Sequence, residues 1–192
     1  MIAAAEDVLD FWFGTKDVAV FGKPRKEWFI KDAAFDAAIR TRFAPLWDQA
    51  RTGLLTGWDA SPHELLAFII MCDQFPRNMY RGEPRSFATD ALALDAARRV
   101  VGRSWDKQLA SVEKAFAYLP FEHAENLADQ DRSVALFGSD PTDAVLKGYA
   151  DYAIRHREFI ARFGRFPHRN AILGRISTPA EIEFLQQPGS TF

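Results

Sequence analysis

Two short motifs hold most of the side chains in this sequence that could do chemistry. The first reads Asp73-Gln74-Phe75-Pro76-Arg77-Asn78, with Arg81 just behind it. Much further along, Arg165-Phe166-Pro167-His168-Arg169-Asn170 repeats the theme. Arg77, Arg81, Arg165 and Arg169 offer forked N–H donors that match a carboxylate or phosphate better than lysine does. Asn78 and Asn170 would add neutral hydrogen bonds and His168 a titratable one. A helix start near Pro167 would add backbone N–H groups that favour anions. This grouping points to a small anionic ligand. The competing interpretation is structural: Asp73, Glu122 and Glu125 would pair with the arginines and lock helices together, an arrangement costly to break.

A second cluster is Glu122-His123-Ala124-Glu125 with Asp129. On one continuous helix the three carboxylates would share a face, a donor set suited to a divalent ion. The helical His-x-x-x-His and Glu-x-x-His spacings of strong sites are missing, however, and no metal or other cofactor is expected. A solvated acidic face is the plainer expectation. His156 lies on an apolar helical stripe beside Tyr152, where a satisfied core histidine is the usual outcome. His123 or His156 could instead act as a general base with a pKa tuned by burial, which would make the protein a hydrolase. There is no Gly-rich phosphate loop, no Gly-x-Ser-x-Gly elbow and no nucleophile–base pair recognisable by spacing.

The elements that must carry these groups read as helices almost throughout. Residues 65–72 form an apolar run with no polar face at either period, so the segment should be buried on all sides. Ser61-Pro62-His63-Glu64 starts it, with Ser at the N-cap, Pro at the first helical position and Glu two further on. Pro76 is expected to stop it. Other helices are expected over residues 6–13, 33–51 (with a kink or break at Pro45), 87–101, 107–119 (stopped by Pro120) and 122–137. Asp140-Pro141-Thr142-Asp143 opens another that runs to Phe163 before Gly164. A short turn over 167–173 and a last helix from Thr178 to Gln187 complete the set, and residues 15–25 read as a loop. No sustained alternation of β-branched residues suggests a sheet. With short connections and no linker, residues 1–192 are expected to form one all-α domain, an antiparallel helical array.

Composition narrows the function classes. Of 192 residues, 48% are apolar and 26% charged, including 17 Phe and 5 Trp, which is ample material for a globular core. A formal charge of -2 gives no overall basicity that would favour nucleic acid or an anionic membrane. The five tryptophans are scattered through helical patterns and read as packing residues rather than a base-stacking platform. Cys72 is the sole cysteine, which excludes an intramolecular disulfide and any multi-cysteine metal site. Residues 1–14 carry Glu6, Asp7 and Asp10 without a basic start, unlike a signal peptide. The apolar run is too short to span a bilayer, so a cytoplasmic location is expected.

Four motifs carry a family resemblance: VLDFWFG at 8–14, DQFPRNMYRG at 73–82, YLPFEHAEN at 118–126 and RFGRFPHRNAILGR at 162–175. Together they resemble a bacterial family catalogued as domain of unknown function 924, over essentially the whole chain. The resemblance implies a helical fold similar to the tetratricopeptide-like superfamily and implies no activity. A tetratricopeptide-like module that holds a peptide is therefore the alternative to the anion pocket.

Overall fold

A computed structural model describes residues 4–14, 21 and 25–191, and among these every regular element is helical. The expected loop at 15–25 falls almost entirely outside the described residues. No described helix is long and apolar enough to cross a membrane. The α-helices are α1 (Ala5–Phe13), α2 (Ala33–Arg51), α3 (Pro62–Ile69), α4 (Phe75–Met79), α5 (Asp90–Gly102), α6 (Ser111–Glu122), α7 (Leu127–Phe137), α8 (Ala144–Phe163) and α9 (Pro179–Leu185).

The apolar run lies at the centre. Its Leu65, Leu66, Ala67, Ile69, Ile70, Met71 and Cys72 are fully buried, and only Phe68 is partly exposed. Helix α3 packs against α1 on one side and against α5 and α6 on others, which accounts for the missing polar face. Burying each large side chain there contributes about 1.5–3 kcal/mol. Trp12, Phe43, Trp47, Phe75 and Phe116 fill the same core. A smaller cluster of Phe159, Ile160, Phe166 and Phe184 ties the end of α8 to α9.

The start signals act as their chemistry requires. The Ser61 hydroxyl accepts from the Glu64 N–H, and Asp143 accepts from Val145 and Leu146. Thr178 and Glu181 form a reciprocal capping box, and Gly164 ends α8 in the left-handed conformation at φ 71°.

Proline is where the expected stops and breaks fail. Neither Pro45 nor Pro120 interrupts its helix. Pro120 removes one backbone donor, at a cost of about 3 kcal/mol. It lies in the last turn of α6, whose Tyr118, Leu119, Phe121 and Glu122 are all buried, so packing outweighs the lost bond. Pro76 does not stop its segment either. Residues Ile70–Gln74 form a π-turn, and α4 continues through the proline. Pro76 has no N–H to return to the Cys72 carbonyl four residues back. The Thr89 hydroxyl donates to that carbonyl instead at 2.6 Å, while accepting from Trp47 Nε1 at 3.0 Å.

Three helix boundaries also move. The expected 107–119 helix starts only at Ser111, behind a 3₁₀ turn at Trp105–Gln108. The expected 87–101 helix begins at Asp90, behind a 3₁₀ turn at Pro84–Phe87. The expected 122–137 helix is two elements: Glu122 ends α6, and α7 starts after Asn126, whose side chain accepts from the Ala128 and Asp129 N–H groups. Glu122, Glu125 and Asp129 therefore do not share a helical face.

Candidate functional site

The π-turn aims Asp73 and Gln74 inward at the point where α6 ends. Asp73 is fully buried, and its carboxylate accepts from His123 Nδ1 at 2.7 Å and from Gln74 Nε2 at 2.6 Å. Arg77, one turn on, sets Nη1 3.3 Å from Asp73 Oδ1. Burial opposes ionisation, yet the positive charge of Arg77 and the His123 contact hold the Asp73 carboxyl well below the usual range. His123 is lowered by burial, against the opposing pull of Asp73.

Residue 123 owes its position to the turn between α6 and α7. The Gln130 side chain donates to the carbonyls of Glu122 at 2.6 Å and Ala124 at 2.7 Å, capping the end of α6. Glu125 leaves this turn in the other direction. It accepts from Nη1 and Nη2 of Arg175 at 2.6 and 3.0 Å and from the Phe166 backbone N–H at 2.8 Å. That clamp brings the second Phe-Pro motif against the first.

The two motifs meet at Asp90. Arg77 grips it with both guanidinium arms at 2.9 and 3.1 Å, and Arg169 reaches it at 3.4 Å. Arg169 is buried between the rings of Phe87 and Phe166, at 4.8 and 4.5 Å from their centroids. Among the described residues its Nε has no hydrogen-bond partner. Burial, with Arg77 nearby, pushes Arg169 down to about 10.

Arg77, His123 and Arg169 among these groups line a cavity of about 670 Å³. Arg77, Asn78, His123, His156, His168 and Arg169 lie on its polar side, and Arg81 and Glu122 also contribute. Trp28, Phe29, Phe87, Leu119, Tyr149 and Ile172 give it apolar walls. Phe29 and Tyr152 are 60% and 53% exposed, which puts aromatic surface at the rim.

Two carboxylate–histidine contacts differ in character. The His156 Nδ1–H donates to the Tyr152 carbonyl at 2.8 Å and lies 3.3 Å from Glu122 Oε1. Burial lowers His156 to about 3 and, with Asp73 close by, raises Glu122 to about 8. Both are neutral at pH 7. Burial likewise lowers His168 to about 4.

Some sequence candidates lie elsewhere or are committed to partners. Arg165 forms a bidentate pair with Glu181 at 2.6 and 2.8 Å and does not line the cavity. Asn170 donates to Ser177 and is likewise off the lining. Arg81 and Asn78 both bond Asp36 while touching the cavity edge. The acidic residues at 122–129 do not present a solvated face: Asp129 pairs with Arg98 and Glu125 with Arg175. No group of three or more His, Cys, Asp or Glu able to hold a metal occurs among the described residues.

Sequence reasoning missed Asp90, Asp36 and Gln74. Asp90 reads as an ordinary first-turn helix acid, and Asp36 as a surface position of α2. Only Gln74, embedded in the first motif, carried a signal.

The family described as "Bacterial protein of unknown function (DUF924)" matches residues 8–189. The chain belongs to this family. This DUF924 protein is also similar in structure to the protein of unknown function ATU0120 from Agrobacterium tumefaciens, at 38% identity and a TM-score of 0.81, over 95% of this chain and 96% of that one. A search of curated proteins gave no match.

Proposed function

We propose that the cavity binds a small amphipathic monoanion, with its carboxylate against Arg169 and its apolar body against Phe29, Phe87, Leu119 and Ile172. Arg169 carries this reading. It is a buried cation whose one ion pair among the described residues is a 3.4 Å contact to an aspartate already held bidentately by Arg77. A buried charge with so little compensation is costly, and an incoming carboxylate would relieve that cost. Asp73 and Asp90 otherwise balance Arg77 and Arg169, and Glu122 is protonated. The group is then formally neutral, so a monoanion leaves one net negative charge where a dianion would leave two.

The test is a thermal-shift and calorimetric titration with benzoate and hexanoate, using hexanol as the neutral control. At a hundredfold excess over Kd the native state gains about 2.7 kcal/mol. The expected result is a carboxylate-dependent rise in Tm that Arg169→Gln removes while the fold is retained. No binding by the wild type, or equal binding by Arg169→Gln, overturns the proposal.

The finer architecture belongs to the same proposal: one domain whose helices stack as a short tetratricopeptide-like superhelix. Its support is that α5 packs on α6, α6 on α7, and α7 on α8. The polar cavity favours a small ligand over the peptide groove such a superhelix would otherwise offer.

A further inference from the structure

Anion binding explains Arg169 but leaves the buried Asp73–His123 pair without a task. A pure binding site has no need of a fully buried carboxylate aligned on one ring nitrogen of a histidine that lines the cavity. The Asp73 carboxylate accepts from Nδ1 at 2.7 and 3.0 Å. This bond fixes the tautomer with the proton on Nδ1, so Nε2 on the opposite edge of the ring carries the lone pair. Among the described residues no hydrogen bond to that nitrogen is seen, and the ring lines the cavity. Asp73 is itself held from two further directions by Gln74 and Arg77, so the imidazole sits on a fixed support.

We propose that His123 is a general base that activates water to hydrolyse an ester bearing a carboxylate, with Arg169 holding that carboxylate and Asp73 positioning the imidazole. This rests on the anion-binding reading of the same cavity. His123 Nε2 takes a proton from water, and the water oxygen bonds to the acyl carbon. The ester C–O bond then breaks, and the leaving oxygen takes the proton back from Nε2. Ester plus water becomes acid plus alcohol, with no other reactant.

Water is the nucleophile because the protein's own candidates are committed. Cys72 lies fully buried in the core, and burial raises its thiol strongly. The Ser86 hydroxyl donates to the Glu83 carbonyl at 2.6 Å. An acyl substrate is favoured over a phosphoryl one by the charge balance. A dianionic phosphate would meet one weakly engaged arginine, whereas a carboxylate matches it.

The chain has four histidines, which makes a direct assay tractable. The probe is 4-acetoxybenzoate, whose para carboxylate cannot attack its own ester, followed by release of 4-hydroxybenzoate. Methyl 4-acetoxybenzoate and 4-nitrophenyl phosphate serve as the neutral and phosphoryl arms. Wild type should hydrolyse the carboxylated ester in preference to both. Positioned general bases contribute about 10²–10⁴-fold, so His123→Gln should lose at least the lower end of that range. His63→Gln, at a half-exposed site beside Glu113, should match wild type. Asp73→Asn should lower kcat with KM unchanged.

Because substitutions near a buried carboxylate can unfold a protein, bromoacetate labelling of the wild type supplies a reading that needs no variant. Peptide mass spectrometry should find His123 alkylated faster than His63, and benzoate should slow it. Turnover equal in wild type and His123→Gln, no turnover of any ester, preferential phosphate hydrolysis, or labelling of His63 in preference to His123 each overturns the proposal. If benzoate still binds through Arg169 in those cases, the anion site survives and only the chemistry falls. If benzoate does not bind, both fall.

Discussion

Replacing Thr89 by valine tests whether the π-turn that aims Asp73 depends on a single hydroxyl. Thr89 is fully buried, and its oxygen is at once donor to the Cys72 carbonyl and acceptor from Trp47 Nε1. Valine has nearly the same shape, so no cavity forms and the packing is left unchanged. Two buried polar groups lose this partner, and each costs about 1–3 kcal/mol when left unmade. The expected destabilisation is therefore about 2–6 kcal/mol, a large share of the roughly 5–15 kcal/mol that holds a typical domain folded. Urea unfolding should show a lower midpoint with an unchanged slope. Thr89→Ser keeps the hydroxyl, removes one methyl group and should cost about 1 kcal/mol or less. A loss below about 0.5 kcal/mol in the valine variant, or equal losses in both, would refute the claim that this hydroxyl holds the turn.

Two further outcomes follow from buried groups. Glu122, raised from 4.5 to about 8 by burial and the Asp73 charge, keeps its proton in the native state where the unfolded chain has already released it. With more protons bound to the native state, stability falls as pH rises through that window, by at most about 1.4 kcal/mol per unit. Urea midpoints between pH 5 and 8 should show a slope from this group that Glu122→Gln removes; an unchanged slope would mean that Glu122 ionises freely. Cys72 should resist a thiol-specific chromogenic reagent in the native state and react fully in denaturant, since it is buried and its thiol is strongly raised. Rapid native labelling would place it outside the core.

What the sequence revealed and what it hid divide along physical lines. Caps are local devices, so the side chains of Ser61, Asp143 and Thr178 and the left-handed Gly164 could be read directly and marked real helix ends. The buried run at 65–72 was legible because burial on all sides leaves no polar position at any period. Proline was misread because the rule that it ends a helix assumes the i−4 ladder. At Pro76 the chain widened into a π-turn and borrowed a hydroxyl from Thr89, a residue distant in sequence. Asn126 was read through as helix interior although its side chain starts α7. That misreading created an acidic face that the structure does not have.

The two Phe-Pro motifs carry both candidate roles, lock and proposed site, and their arginines differ in how fully the fold pairs them. Arg165 and Arg175 each meet a carboxylate in a bidentate pair and clamp the second motif in place. Arg77 likewise grips Asp90. This leaves Arg169 next to a counter-ion that is already shared. A site of this kind cannot be read from motif chemistry alone, because an arginine's availability depends on which acids the fold has assigned to its neighbours. The lock and the site are thus successive consequences of one arrangement. The clamped pairs hold the frame rigid, and that rigidity keeps Arg169 buried, under-compensated and on the same cavity as a histidine aligned by Asp73.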